Sequence, residues 1–156
     1  MTYKFCLIGF SFAPSLLFAQ LIHNVETYDN GNVKHIMYYQ RVGNRIIKTK
    51  YEEFYKNGNK RQAGSFKNNE KSGVWKEWNE EGIKISEGNY NRGFRDGFWI
   101  VWHDNGSKQG EVTWQNGKEN GLWIIWHQNG EKMREVQWGD GKRNGKCQEW
   151  YDNGNK

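Results

Sequence analysis

From Phe98 to Trp114 the chain reads FWIVWHDNGSKQGEVTW. Trp, Ile and Val crowd its first half, the composition of a strand. Asp104-Asn105-Gly106 follows, and Asn-Gly readily takes positive φ at both central turn positions, so a tight hairpin is predicted there. Glu111-Val112-Thr113-Trp114 then alternates polar and apolar positions, as a half-buried strand does. Gln115 to Gly121 holds two Gly and two Asn and is predicted as a second turn. The same syntax recurs from Trp75 to Gly97 and from Trp123 to Gly145, so each unit reads as two strands. Side chains alternate along a strand. Phe98, Ile100 and Trp102 therefore share one face and Trp99, Val101 and His103 the other. Val112 and Trp114 share a face, with Glu111 and Thr113 opposite. Neither face is fully polar.

The unit repeats every 24 residues, as Asn57-Gly58, Glu81-Gly82, Asn105-Gly106, Asn129-Gly130 and Asn153-Gly154 show. Gly73, Gly97, Gly121 and Gly145 keep the same spacing. Three aromatic columns do so too: Tyr51, Trp75, Trp99, Trp123 with Cys147 last; Phe54, Trp78, Trp102, Trp126, Trp150; and Phe66, Tyr90, Trp114, Trp138. All nine Trp fall in these columns. A Lys column runs Lys60, Lys84, Lys108, Lys132, Lys156. A degraded copy begins near Val25, its Asn30-Gly31 standing 27 residues before the next Asn-Gly. Terminal repeats are often atypical because they cap the array. At the other end the chain stops at Lys156, just past an Asn-Gly turn, so it reads as a fragment or as ending in an incomplete hairpin.

Frequent Gly excludes helices, at about 1 kcal/mol per interior Gly relative to Ala. The period is too short for a propeller blade. The lone Pro, Pro14, lies outside the repeats, which fits continuous ladder pairing. An all-β fold is predicted, an antiparallel meander of repeated hairpins growing by one hairpin per unit. Leu, Ile, Val and Phe are too scarce outside the N-terminus for a thick second layer. Trp and Tyr bury large areas individually, so their columns are expected to hold an elongated single-layer or shallowly coiled sheet together.

Composition adjusts this picture little. In 156 residues 35% are hydrophobic and 16% aromatic, and nine Trp speak against disorder. The first residues, MTYKFCLIGFSFAPSLLFAQ, change the picture more. Lys4 supplies a positive start, Phe5 to Phe18 an apolar run, and Ala19 a small residue before a cleavage site. The expected organisation is a secretory signal over 1–19, an irregular capping repeat over 20–49, and the hairpin array over 50–156. Export to the envelope or outside the cell follows, periplasmic, outer-surface or secreted. Cleavage would leave Cys147 as the one cysteine, a candidate for a bridge between chains, though its place in a Trp column favours a packing role.

The unit G-x-W-x-x-W-x-x-N-G-x-K, followed by an acidic-aromatic strand, resembles a MORN-type repeat. The resemblance rests on Gly73-Val74-Trp75-Lys76-Glu77-Trp78, on Gly97-Phe98-Trp99 with Trp102, and on Gly121-Leu122-Trp123 with Trp126. It covers roughly Tyr51 to Lys156 and is most similar to the bacterial variant form in proteins labelled as toxin–antitoxin antitoxins. It implies a hairpin array serving scaffolding, protein association or membrane attachment. The antitoxin label implies a neutralised partner protein and requires cytoplasmic residence.

No catalytic constellation is legible, so a non-enzymatic protein is expected. His103 and His127 are equivalent positions, but a stable metal site needs three or four ligands, and no metal or other cofactor is expected. Glu87, Glu111 and Glu135 form a column of like environments, whereas catalytic carboxylates need differing ones. Cross-strand or diagonal pairing with Lys84, Lys108 and Lys132 is expected instead. The charge of +5 is modest and interleaved with acidic residues, which speaks against nucleic acid. The candidate binding residues are the aromatic columns, Trp75, Trp78, Trp99, Trp102, Trp123, Trp126 and Trp150, and the basic column Lys84, Lys108 and Lys132. The expected function is an exported interaction or scaffold module, its partner another protein or an envelope component, with contact to a membrane surface as a lesser option. The alternatives are an aromatic platform for carbohydrate or lipid, and a toxin-neutralising protein.

Overall fold

Twelve strands and no helix make up residues 21–156, the part of the chain that the computed structural model describes. The predicted signal over 1–19 lies outside the described residues. The strands are β1 (Leu21–Thr27), β2 (Val33–Val42), β3 (Arg45–Phe54), β4 (Lys60–Lys67), β5 (Glu70–Trp78), β6 (Lys84–Asn91), β7 (Phe94–Trp102), β8 (Lys108–Gln115), β9 (Lys118–Glu119), β10 (Gly121–Trp126), β11 (Lys132–Gly139) and β12 (Lys142–Glu149). They pair antiparallel in the order β1 to β8, then β10 to β12. The two-residue β9 lies beside β8 just before β10 takes over that edge. The result is one open sheet, a meander of hairpins. The stretch read as irregular, 20–49, is regular from Leu21 onward, because β1 and β2 form a hairpin that continues the sheet.

Two turn types alternate, one along each long edge. The Asn-Gly turns differ from the prediction. In Tyr55–Asn59, the Gly58 N–H donates to Tyr55 O at 3.0 Å and the Tyr55 N–H to Asn59 O at 2.8 Å. Gly58 has φ +92°, but Asn57 is not left-handed. This is a type I turn closed by a left-handed Gly, a three-residue loop. Asn57 acts through its side chain, Oδ1 accepting the Asn59 N–H at 2.9 Å. Mirror-image two-residue turns lie on the opposite edge, at Arg92-Gly93, Asn116-Gly117 and Asp140-Gly141, where both residues have positive φ.

Gly121 is therefore not part of a turn, and neither are Gly73 and Gly97. Gly73 and Gly97 stand inside β5 and β7, and Gly121 opens β10, each at positive φ where two extra residues are inserted. Ala63 pairs with Lys76 and Ser65 with Ser72, so one residue of β4 faces three of β5. Such a bulge re-aims side chains. Here it lays the Trp75 ring across the backbone of Gly64, and the Trp99 ring across Gly88.

The core lies on one face of this single layer. Along it run Tyr51, Gly64, Trp75, Gly88, Trp99, Val112, Trp123, Val136 and Cys147, in register from strand to strand. Large and small residues alternate. Trp75 and Trp99 are 1% exposed, and Val112 and Val136 are also buried. Trp123 is less covered, because Val112 stands where Gly64 and Gly88 receive the earlier rings. Trp75 and Trp99 donate their indole N–H to Ser65 O and Asn89 O, each at 3.1 Å, and Trp123 to Thr113 O at 3.0 Å. The third aromatic column seals this spine: Phe66 and Tyr90 meet Trp75 edge-on at 5.4 and 5.8 Å. Cys147 departs from its expected packing role. It is exposed, because β12 is an edge strand with no further described strand to cover it.

Candidate functional site

Trp75 and Trp99, both candidate binding residues, are consumed by the spine and present no free ring face. Trp123 belongs to the same row, packed between Trp114 and Trp138 at 5.2 Å from each. Trp78, Trp102, Trp126 and Trp150 instead lie toward the Asn-Gly edge, each beneath a lysine. Lys60 stands 5.9 Å from the Trp78 ring centre, Lys84 4.3 Å from Trp102, Lys108 5.4 Å from Trp126 and Lys132 5.1 Å from Trp150.

The three candidate lysines also hold carboxylates. Lys84 Nζ is 2.6 Å from Glu87, Lys108 Nζ 2.6 Å from Glu111, and Lys132 Nζ 2.8 Å from Glu135. These partners lie three residues on in the same strand, not across or diagonal to it as expected. The short hydrogen bond from Lys84 lowers the Glu87 pKa against the opposing effect of burial. Each candidate basic residue is thus clasped between an aromatic ring and an anion. The first repeat elaborates the motif. Glu52 accepts from Lys60 and Tyr38, both at 2.8 Å. Burial alone would raise the Glu52 pKa, but its hydrogen bonds to Lys60, Tyr38 and Lys50 bring it down to about 2. Burial and the bond to Glu52 push Tyr38 up to about 12.

The remainder of this second face is less protected. Val74, Phe98 and Leu122, one repeat apart, are 53%, 53% and 43% exposed. Ile100 and Ile124 lie on the same face, two positions further along β7 and β10. Apolar surface of this kind on consecutive repeats is a usual mark of an interaction site.

His103 and His127 serve the turns. Their Nε2 atoms lie 3.0 Å from Trp126 O and Trp150 O, one repeat ahead. Tyr28 and Tyr55 make the same strut, their hydroxyls donating to Phe54 O and Trp78 O at 2.8 and 2.9 Å. Among the described residues no three His, Cys, Asp or Glu gather as a metal cage would require. A shallow groove of about 310 Å³ near the same edge is lined by Glu53, Arg61, Gln62 and Glu77 among others. Glu77 is held there by Gln62 at 2.7 Å and by the buried Ser86 at 3.1 Å.

A second basic column escaped the sequence reading. On the spine face, toward the two-residue turns, stand Lys48, Lys71, Arg95, Glu119 and Arg143. Lys71 Nζ lies 3.9 Å from the Trp75 ring centre and 5.0 Å from that of Tyr90. Arg95 lies 4.4 Å from Trp99 and 5.2 Å from Trp114. Lys48 is 5.8 Å from Phe66, and Arg143 5.9 Å from Trp138. Among the described residues none of these four cations forms an ion pair. Burial against the rings lowers the Lys71 pKa. The signal was present at the second position before each bulge glycine: Lys71, Arg95 and Arg143 precede Gly73, Gly97 and Gly145. It was hidden because those glycines read as turns, and because Glu119 interrupts the series.

Comparison with known proteins agrees with this geometry. A family model described as the MORN repeat variant matches residues 49–68 and 71–92, that is, β3–β4 and β5–β6 with their turns. No curated protein matches the chain. The matched hairpin syntax continues in the same sheet through β12. Over residues 49–92 the chain thus carries two repeats similar to the MORN repeat variant, and such repeats suggest a protein involved in binding or interaction.

Proposed function

We propose that this protein is an exported, non-catalytic interaction module that engages another protein or an envelope component through the second face of its sheet. The observation that carries this reading is the row Val74, Phe98 and Leu122, about half exposed on three consecutive repeats. Apolar side chains this open weaken solubility unless a partner covers them. The flanking Lys–Glu–Trp clusters form a charge-balanced rim, and a polar rim around an apolar centre is the usual anatomy of an interface. Export is supported by the apolar start of the chain, Phe5 to Phe18 behind Lys4.

The test uses the full-length protein in its native cells. A photo-crosslinking residue at Phe98 is expected to capture one discrete partner in an envelope or secreted fraction. Phe98→Ser with Leu122→Ser is expected to abolish capture from a neighbouring position, Val74, while leaving the circular dichroism spectrum unchanged. A full-length cytoplasmic protein would overturn the export part. Unchanged capture in the double variant would overturn the assigned face.

A further inference from the structure

Among the described residues the spine face carries four cations, Lys48, Lys71, Arg95 and Arg143, that no anion pairs. We propose that it binds an acidic, extended segment of a partner polypeptide, whose carboxylates engage Lys48, Lys71 and Arg95, with Arg143 beyond. This site lies on the opposite face from the apolar row and does not depend on it.

Three observations support the assignment. The cations are held in place without being neutralised. Lys71 and Arg95 lie over rings at 3.9 and 4.4 Å, and a cation on an aromatic face retains its charge for a further partner. Their backbone is fixed as well. Lys71 O and Arg95 O accept the Gly93 and Gly117 N–H groups of the next turn at 2.9 and 2.8 Å. Ordering such side chains usually weakens recognition, and here that ordering belongs to the folded state. The contrast with Lys84, Lys108 and Lys132 is direct, since each of those is closed by its own glutamate.

Spacing selects the shape of the partner. One repeat is two strands, so successive cations stand about 10 Å apart along the array. A polyproline II chain rises about 9.3 Å per three-residue turn and returns a side chain to the same side each turn. Carboxylates at every third residue therefore match Lys48, Lys71 and Arg95 in single file. The charge pattern disfavours other polyanions. The file is one cation wide, is broken by Glu119, and shares its face with Glu53 and Glu77. Nucleic acid calls for a broader basic stripe. A flat membrane surface calls for cations that project outward, and these lie against rings.

The decisive experiment is calorimetric titration of the full chain at low salt. The probe peptide is Glu-Pro-Pro-Glu-Pro-Pro-Glu, with the Gln-for-Glu peptide and a clustered peptide of the same composition as controls. Saturable binding of the first is expected, with none for the Gln peptide and about fivefold weaker binding for the clustered one. Arg95→Gln is expected to weaken binding about fivefold. Because loss of a stacked residue also disturbs packing, the stricter variant is Glu119→Arg, which completes the column. It is expected to tighten binding of a peptide extended by one Pro-Pro-Glu unit about fivefold. Phe98→Ser should leave these values unchanged. The proposal is overturned by equal binding of the Gln peptide, by no gain in Glu119→Arg, or by binding of anionic lipid vesicles or polygalacturonate without the peptide.

Discussion

Gly64 and Gly88 are fixed by their neighbours, not by their own backbone. A Cβ at Gly88 would overlap the carbons of the Trp99 indole, and one at Gly64 those of Trp75. Gly88→Ala must therefore push a buried ring off the sheet, and overpacking of this sort costs about 1–3 kcal/mol. Gly58 has open space around it but a φ of +92°, so Gly58→Ala is expected to cost only about 1 kcal/mol, from backbone conformation alone. Urea denaturation followed by Trp fluorescence checks both; a smaller effect at Gly88 than at Gly58 would refute the flat seating of Trp99. Glu52 makes a prediction in pH. Its folded pKa of about 2 lies below the ordinary value of 4.5. The stability it confers is full above about pH 4.5 and is lost as pH falls through 2. Its partners are partly in solvent, so the discounted amount is about 1 kcal/mol. Glu52→Gln is expected to flatten the acid limb of a stability–pH curve in that window while leaving the curve's shape near neutrality unaltered.

At the scale of hairpins, the Asn-Gly turns bind each repeat to the next. Asn129 Oδ1 accepts the Glu131 N–H at 3.0 Å, closing its own turn. Its Nδ2 donates to Asp152 O at 2.7 Å in the following turn. Asn129→Ala breaks both bonds and is expected to cost about 1–2 kcal/mol. Hydrogen exchange should show faster exchange of amides in both the Gln128–Glu131 and Asp152–Asn155 turns; an effect confined to the first would refute the cross-repeat role. Much of this scale was legible beforehand. The 24-residue columns located the hairpins, and the alternation Phe98, Ile100, Trp102 against Trp99, Val101 gave the two faces. The glycines misled because a left-handed residue has the same sequence signature in a turn as in a bulge. Gly73, Gly97 and Gly121 looked like turn residues, yet the two-residue turns at Arg92-Gly93 and Asn116-Gly117 had already reversed the chain. The two inserted residues bring Trp99 over Gly88, so the placement of the spine, and the cations lying on it, followed from a feature that periodicity does not reveal. Cys147 misled for a different reason: a column identifies equivalent positions, but burial depends on a neighbour on both sides.

Along the whole array each strand pairs only with the strands beside it, so stability is largely a sum of hairpin terms and the joints between them. The joints are unequal. Trp75 and Trp99 in β5 and β7 are 1% exposed, whereas β12 is exposed at nearly every position. Val112 and Val136 replace the glycines on which the earlier rings lie, so the spine loosens toward the C-terminal edge. Burying an indole of this size is worth about 4–6 kcal/mol by area. The amides of β5 to β8 are therefore expected to exchange most slowly, and those of β12 early, each in its own cooperative step. Trp99→Ala removes the central joint at a cost of about 3–5 kcal/mol. In a bundle with one shared core that loss would lower a single unfolding transition. Here it should split the transition in two, because the hairpins before β7 and after β8 retain their own neighbours. Hydrogen exchange by mass spectrometry across a urea series measures this directly. Protection should fall first in β7 and β8 of the variant while β4–β5 and β10–β11 still hold theirs. A single transition, with all strands losing protection together, would show that the sheet folds as one cooperative body and that its neighbour-by-neighbour pairing does not govern its energetics.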